Sequence, residues 1–236
     1  MSGGVVAIDG PSASGKSSTA RAVAEALGFA HLDSGSLYRG VTLVALREAA
    51  RKGLDGVRVL DALGPETILR AAEDRGLMLQ SDGVGFSAYL EGEPAEEDLR
   101  SSEVTAQVSA LAAIPVVREW VNSRLRAMVR AGQDVVVDGR DIGTVVFPDA
   151  DLKIFLTASP EARAGRRISQ RGMAVQPDHL DAETAALAAR DHADSTRAIA
   201  PLRPAEDAIH LDTTSMDFAE QVSFIVDRAR SIFPRP

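Results

Sequence analysis

One eight-residue segment restricts the fold and the chemistry of this chain more than any other feature of its sequence. Residues 10–17 read Gly-Pro-Ser-Ala-Ser-Gly-Lys-Ser and match the phosphate-binding pattern G-x-x-x-x-G-K-[ST]. A β-branched run at residues 5–9 precedes the segment, and from Lys16 apolar residues recur at helical spacing until Gly28. The segment is therefore predicted to be a P-loop between a buried parallel strand and a helix.

The P-loop pattern implies a specific way of holding a nucleoside triphosphate. Its glycines let backbone N–H groups converge on phosphate oxygens, and the N-terminus of the helix adds a partial positive charge. We expect Lys16 to reach the β- and γ-phosphates and Ser17 to place its hydroxyl on Mg²⁺. The residues expected to bind ATP are Gly10, Pro11, Ser12, Ala13, Ser14, Gly15, Lys16, Ser17 and Ser18.

Composition limits the class of protein and of ligand. A chain of 236 residues that is 45% hydrophobic suits one sizeable α/β domain. Because it has no cysteine, no apolar stretch of membrane-spanning length and no leader-like N-terminus, we expect a cytoplasmic protein without a membrane partner. Its formal net charge of −8 argues against a nucleic acid polymer as ligand. We therefore expect a monomer that binds a small anion through a local cluster of arginines.

Short β-rich runs alternate with helical patterns along most of the chain. This alternation is typical of a parallel sheet that is covered by helices on both faces. The predicted strands are residues 5–9, 29–33, 134–138, 152–157 and 208–212. The last three are too apolar and β-branched to lie at an exposed edge. The sequence thus predicts an α/β chain with the three-layer P-loop NTPase fold and a five-stranded parallel sheet.

Two segments depart from this alternation. Between residues 62 and 104, glycine and proline break the chain, and two strand-like runs flank Asp82-Gly83, which predicts an inserted subdomain with a hairpin. Residues 158–195 are strongly charged and predicted to be mostly helical, with Ser159 as N-cap and Pro160 at the first helical position. We expect a single domain over residues 1–236, and its core is predicted to consist of residues 1–61, 105–157 and 196–236.

A P-loop does not distinguish kinases from ATPases and GTPase switches. The Asn-Lys-x-Asp segment of GTPases is missing, since Asn122 is the one asparagine and Ser123 follows it. Arginines gather at Arg39, at Arg140 and at residues 190–197, and Asp138 ends a predicted central strand, where open α/β sheets bind ligands. Converging guanidinium groups favour a second phosphate group, that of the phosphoryl acceptor. The second pKa of such a phosphate is about 6, so it is already ionised at neutral pH and its attack needs no general base.

Two alternatives stay open on these residues. A kinase of the shikimate or gluconate type would transfer the phosphoryl group to a hydroxyl and would need a carboxylate as base, a role that Asp33 could fill. A switch-like protein would bind ATP without a phosphoryl acceptor. In addition, Arg163, Arg167 and Arg171 follow one another at i, i+4 and i+8, which is more typical of a solvent-exposed helix face than of a catalytic clamp.

Four segments occur in a characteristic order. They are residues 10–17, residues 32–39 (Leu-Asp-Ser-Gly-Ser-Leu-Tyr-Arg), residues 138–148 (Asp-Gly-Arg-Asp-Ile-Gly-Thr-Val-Val-Phe-Pro) and residues 197–202 (Arg-Ala-Ile-Ala-Pro-Leu). In these segments, and over nearly its whole length, the chain resembles the bacterial cytidylate kinases, a family of P-loop nucleoside monophosphate kinases. The resemblance implies transfer of the γ-phosphoryl group of ATP to CMP or dCMP in pyrimidine nucleotide metabolism, with Mg²⁺, and a monophosphate-binding role for the insertion at residues 62–104.

The resemblance also assigns individual residues. It implies that the CMP phosphate is bound by Ser34, Tyr38, Arg39, Arg140 and Arg197, the ribose by Arg190 and Asp194, and cytosine by Ser109, Arg118 and Asp141, with Asp138 in the same substrate site. The resemblance further implies that residues 158–195 form a short lid over ATP, and that Lys16, Arg140 and the lid arginines Arg163 and Arg167 are catalytic. Asp141 can accept a hydrogen bond from the exocyclic amino group that cytosine has and uracil lacks. Loss of such a buried hydrogen bond costs about 1 to 3 kcal/mol of binding free energy. One departure is Ser17, where many relatives have glycine.

Overall fold

The P-loop segment lies between a strand, β1, and a helix, α1, as the sequence predicts. The computed structural model describes residues 3–54, 58–81, 83, 85–130 and 132–234. The strands, in chain order, are β1 Val5–Asp9, β2 Ala30–Asp33, β3 Met78–Ser81, β4 Gly85–Leu90, β5 Glu93–Pro94, β6 Val135–Gly139, β7 Leu152–Thr157 and β8 Ile209–Asp212.

The helices lie between these strands along the chain, singly or in succession. They are α1 Lys16–Leu27, α2 Ser34–Arg51, α3 Val59–Ala62, α4 Pro65–Asp74, α5 Glu96–Leu99, α6 Ser102–Ala112, α7 Pro115–Arg130, α8 Pro160–Gln170, α9 Pro177–Thr196 and α10 Phe218–Ile232. A π-helical turn spans Ile142–Val146. The chain divides into two units: unit 1 is Met1–His31 with Val129–Pro236, and unit 2 is Leu32–Met128.

Unit 1 is built on parallel strands. The hydrogen-bonded order is β2-β6-β1-β7-β8, in which β1 pairs in parallel with β6 and β7, and β7 pairs in parallel with β8. Each of the five predicted strands is present and lies within one residue of its predicted bounds. Every residue of β1 and β6 is buried, because parallel strands are covered on both faces. The α/β class predicted from the sequence is confirmed, but the predicted count of five strands is too low, because the described residues form eight strands and the hairpin segment of unit 2 supplies β3, β4 and β5.

One prediction about these strands is wrong. The strand at residues 208–212 was expected to be too apolar for an edge, yet β8 ends the strand order. In β8 the residues alternate between apolar and polar, so Leu211 is buried while His210 and Asp212 are exposed. The two polar side chains reach water at the edge, which an interior strand would not allow.

The core of unit 1 joins the P-loop helix to the sheet. The side chains of α1 and α10 pack together and against the sheet, with Val6, Val23, Ile154 and Ile225 buried. Gly10, which follows β1, has φ of 152°, and a Cβ there would lie 2.1 Å from the carbonyl oxygen of Leu156. Only glycine permits this close approach, so the start of the P-loop is held against β7.

Unit 2 contains an antiparallel hairpin and helices. β3 pairs with β4, with Met78 opposite Tyr89, and β5 also pairs with β4, with Pro94 opposite Tyr89. The predicted hairpin is thus present, although Asp82 of its predicted turn lies outside the described residues. α2 packs against α4 and α6. The insertion predicted at residues 62–104 falls within unit 2, and its bounds stay a prediction.

The segment predicted as a lid contains α8 and α9. Ser159 caps α8 as predicted, because its hydroxyl accepts a hydrogen bond of 3.2 Å from the N–H of Ala162, and Pro160 occupies the first turn. The bounds of the lid, residues 158–195, and its movement stay predictions. No helix in the described part of the chain combines the length and hydropathy that a membrane crossing requires.

Candidate active site

The P-loop backbone leads directly from β1 into α1. Gly15, with φ of 97°, precedes the first helical residue, and Ala13 has φ of 59°, which is unfavourable for a residue with a Cβ. Lys16 is buried, and its Nζ donates to the carbonyl oxygen of Pro11 at 2.6 Å. Burial, followed by the charge of Arg140, lowers the pKa of Lys16 well below its usual range. An anionic phosphate beside Nζ would favour the charged form of this lysine.

Ser12, in the same loop, is bonded to three charged side chains from distant parts of unit 1. Its hydroxyl accepts from Nη2 of Arg140 at 2.9 Å, and its carbonyl oxygen accepts from Nη1 of Arg163 at 3.0 Å. Its N–H donates to Oδ1 of Asp191 at 2.8 Å. The loop following β6 and the helices α8 and α9 therefore meet at this residue.

Arg163 does not lie on a solvent-exposed stripe. It is 8% exposed and forms an ion pair with Asp191 of α9, whereas Arg171, two turns further along the chain, is exposed. The expectation of a solvent face is thus wrong for Arg163, because α9 packs against α8 and covers the first part of this row. Arg167 is half-buried on the same helix.

Three hydrogen-bonded polar side chains connect β2 to the P-loop. Oδ2 of Asp138 accepts the hydroxyl of Ser17 at 2.6 Å, and Oδ1 lies 2.8 Å from Nε2 of His31. Burial alone would raise the pKa of Asp138, but the hydrogen bonds from His31 and Ser17 and the charge of Lys16 outweigh burial and lower it. Asp138 therefore carries a negative charge beside the P-loop. Ser17 and Ser18 are exposed at the start of α1.

Two ion pairs join residues that the sequence assigned to substrate binding. Nε of Arg140 donates to Oδ2 of Asp194 at 3.0 Å, and Nη2 of Arg197 donates to Oδ1 of Asp141 at 3.3 Å. Both carboxylates are buried, so each needs a cationic partner. Arg190, on α9, is half-buried, and its charge also acts on Lys16. Unit 1 thus brings these predicted residues together with the P-loop.

Asp9 is a residue of this site that sequence reasoning missed. Its carboxylate accepts from the backbone N–H groups of Ile142 and Gly143, at 2.8 and 2.7 Å, and so holds the π-helical turn that follows Asp141. Burial raises the pKa of Asp9 to about 6, although both hydrogen bonds oppose this. A signal was available, because Asp9 is the one charged residue that ends the apolar run of β1.

Unit 2 carries the other residues assigned by resemblance. Ser34 and Tyr38 are buried in α2, and Ser109 is half-buried in α6. Arg118 of α7 is buried, its Cζ lies 5.5 Å from the centre of the Tyr38 ring, and its Nη1 donates to the carbonyl oxygen of Ala112 at 3.0 Å. Nη1 of Arg39 donates at 3.0 Å to the carbonyl oxygen of Leu99 and to Thr105. Tyr38 and Arg118 are therefore neighbours within this unit.

Asp33, the candidate base for a hydroxyl acceptor, has a local structural role. Its Oδ1 accepts from the N–H of Gly35 at 2.8 Å and its Oδ2 accepts from the hydroxyl of Ser36 at 3.1 Å, so it caps α2. Both oxygens are engaged, which disfavours Asp33 as a proton acceptor.

Comparisons with known proteins identify the family of this chain. The sequence model of the cytidylate kinase family matches residues 6–231. The chain is 43% identical over 212 residues to a cytidylate kinase of Rhodococcus jostii, covering 90% of this chain and 88% of the relative. It is 44% identical over 226 residues to one of Mycobacterium avium, covering 96% and 95%. Its fold is similar to that of an uncharacterized protein from Eubacterium ventriosum, with a TM-score of 0.50, 12% identity and coverage of 97% and 98%. The chain therefore belongs to the cytidylate kinase family.

Proposed function

We propose that this chain transfers the γ-phosphoryl group of ATP to CMP and dCMP, giving ADP and CDP or dCDP, as part of pyrimidine nucleotide metabolism. The observation that carries the proposal is the bonding of P-loop Ser12 to Arg140 and Arg163 in a chain of the cytidylate kinase family. A monomer acting in the cytoplasm on these two nucleotides, without a nucleic acid polymer or a membrane, completes the proposal.

On the donor side, the P-loop backbone N–H groups and Lys16 bind the β- and γ-phosphates of ATP. Nζ of Lys16 donates to the carbonyl oxygen of Pro11 and to the hydroxyl of Ser14, so the loop itself positions this side chain. Catalysis in this class of reaction consists mainly of positioning and of neutralising charge on the transferred group. Arg163 and Arg167 of α8 supply further positive charge for this purpose.

Mg²⁺ is the proposed cofactor, and the residues fit it. Mg²⁺ binds oxygen ligands and usually takes one or two carboxylates with phosphate oxygens and water, rather than a complete protein cage. The exposed hydroxyl of Ser17 lies beside the ionised carboxylate of Asp138, and the described residues contain no cluster of three or more metal-binding side chains. When bound, the ion neutralises part of the phosphate charge of ATP.

On the acceptor side, Arg140 and Arg197 bind the phosphate of CMP with Ser34, Tyr38 and Arg39. In exchanging their carboxylate partners for phosphate, the two arginines of unit 1 release Asp194 and Asp141. Asp194 then binds the ribose together with Arg190. Asp141 accepts a hydrogen bond from the amino group of cytosine, and Ser109 and Arg118 bind the same base. The acceptor phosphate is ionised at neutral pH, so the reaction needs no general base.

A coupled assay of ADP release tests this function directly. CMP, dCMP, UMP, AMP and dTMP are offered as acceptors, with shikimate and gluconate as hydroxyl acceptors. We expect rapid ADP release with CMP and dCMP and slower release with UMP, because uracil lacks the amino group that Asp141 binds. ADP release with shikimate or gluconate and none with CMP would establish a hydroxyl kinase instead. Binding of ATP without acceptor-dependent release would indicate a switch-like protein.

A further inference from the structure

His31 is a buried titratable side chain that the proposed reaction does not use. It is the second residue of β2, is 5% exposed, and places Nε2 at 2.8 Å from Oδ1 of Asp138. The other oxygen of Asp138 accepts the hydroxyl of Ser17 at 2.6 Å. His31 is thus one hydrogen bond away from Asp138 and two away from the hydroxyl proposed for Mg²⁺.

The direction of these hydrogen bonds follows from the chemistry of the three groups. An aspartate carboxylate at neutral pH accepts hydrogen bonds and has no proton to donate, so Nε2 of His31 carries the hydrogen. The terminal torsion of aspartate is broad, and one donor leaves the carboxylate free to rotate. Donors on both oxygens hold Asp138 in one orientation. The oriented carboxylate in turn fixes the hydroxyl hydrogen of Ser17, so that the oxygen lone pairs of Ser17 point away from Asp138.

Packing by itself gives no reason for a histidine at this position. Burying a polar ring costs free energy unless it is hydrogen-bonded, and an apolar side chain would fill the strand without that cost. The adjacent residues of β2, Ala30 and Leu32, are buried and apolar. The hydrogen bond to Asp138 offsets the cost of burial at His31, and it does so beside the P-loop.

We propose that His31 is a positioning residue for Mg²⁺–ATP, which acts by holding Asp138 and, through it, Ser17. The inference rests on the metal site proposed above for Ser17 and Asp138. Hydrogen bonds in the outer shell of a metal site commonly change metal affinity by about 10- to 100-fold when they are removed. Removal of the imidazole should therefore weaken the contribution of Mg²⁺ to ATP binding without changing the binding of ATP alone.

Isothermal titration of the full chain with ATP, in Mg²⁺ and in EDTA, tests the proposal without turnover because no acceptor is present. In the wild type we expect Mg²⁺ to tighten ATP binding. In His31→Leu the ratio of the two affinities should fall by about tenfold or more, while binding in EDTA and binding of CMP stay within about twofold. The amide of glutamine can donate to Asp138, so in His31→Gln the ratio of the two affinities should be restored to near its wild-type value. His210→Leu, at an exposed strand position, is the matched control.

The outcomes separate this inference from the metal site on which it rests. If the wild-type protein bound ATP with the same affinity in Mg²⁺ and in EDTA, the proposed metal site would be overturned, and the role of His31 with it. A wild type that responds to Mg²⁺, with an unchanged ratio in His31→Leu, would overturn the role of His31 alone. If His31→Leu does not fold, ¹⁵N NMR of the wild-type imidazole decides: the Nε2–H resonance should shift with Mg²⁺–ATP beyond its shift with ATP, and equal shifts would overturn the proposal.

Discussion

Asp9 and Asp138 are two buried carboxylates near the ends of neighbouring parallel strands, yet their pKa values shift in opposite directions. Burial raises the pKa of Asp9 to about 6, and the nearby charge of Asp141 adds to this effect. Burial acts on Asp138 in the same sense, but an imidazole, a hydroxyl and the charge of Lys16 reverse it. The partners of each side chain, rather than its depth, determine its charge.

This difference predicts a pH-dependent effect of Asp9→Asn on stability. Between about pH 4 and about pH 6 the folded wild type binds more protons at Asp9 than the unfolded chain, so its free energy of unfolding falls as the pH rises. The variant lacks this titration. From about pH 4 to about pH 7, the stability of the variant relative to wild type should therefore rise by up to about 3 kcal/mol. Urea denaturation at several pH values measures this, and a pH-independent difference would contradict it.

Arg140 joins the P-loop to the proposed acceptor phosphate site, so its removal should affect turnover more than folding. We expect Arg140→Ala to lower kcat for CMP by about 100-fold or more, because a group that stabilises developing charge is lost. Arg100→Ala is the matched control, since Arg100 is exposed and pairs with Glu96 one turn away. Steady-state kinetics and circular dichroism measure the two effects. Nearly intact turnover would mean that the acceptor phosphate binds elsewhere.

Among the helices, α10 begins with a local capping motif and packs against the helix that follows the P-loop. Oδ1 of Asp217 accepts from the N–H of Glu220 at 2.8 Å, and the Glu220 carboxylate accepts from the N–H of Asp217 at 2.9 Å, which forms a capping box. The helix then packs on α1, which begins at the P-loop. A weakened cap should therefore lower stability without altering the chemistry of the site.

Replacement of this cap gives the second stability prediction. Asp217→Ala should lower the free energy of unfolding by about 1 kcal/mol, as loss of an N-cap usually does. The kinetic constants for CMP should stay within about twofold of wild type, because Asp217 is exposed and its hydrogen bonds with Glu220 lie within the first turn of α10. Thermal denaturation with kinetic assays checks both statements. An unchanged melting temperature would show that the capping box contributes little.

For the molecule as a whole, net charge and local charge have opposite signs. The chain carries a formal charge of −8, while its proposed ligands are anions held by Lys16 and several arginines. Many of these cations are paired with carboxylates, as in Arg140 with Asp194 and Arg163 with Asp191. Binding of nucleotides should exchange these partners and should also favour the folded state.

Ligand-linked stability follows from this exchange. CMP at about 100 times its dissociation constant should raise the free energy of unfolding by about 2.7 kcal/mol, since it binds the folded state alone. Scanning calorimetry at increasing CMP measures the effect, with UMP at equal concentration as the weaker comparison. If CMP and UMP stabilised the chain equally, selection of cytosine by Asp141 would be contradicted.

The amino-acid order was sufficient for features that depend on neighbouring residues. The P-loop, the N-cap at Ser159, the end of α1 at Gly28 and the five strands of unit 1 all follow from patterns a few residues long. The family resemblance added residues such as Arg118, which no local pattern distinguishes. The edge position of β8 was missed, because strand order is a property of the whole sheet.

The contacts that assemble the site could not be read in the same way. Ser12 meets Arg140, Arg163 and Asp191 across separations of 128, 151 and 179 residues. Asp9 meets Ile142 across 133 residues. These pairings exist because β1 lies between β6 and β7, so that chain segments leaving adjacent strand ends come together. Local propensity carries no information about that order, and the burial and charge of each side chain follow from it.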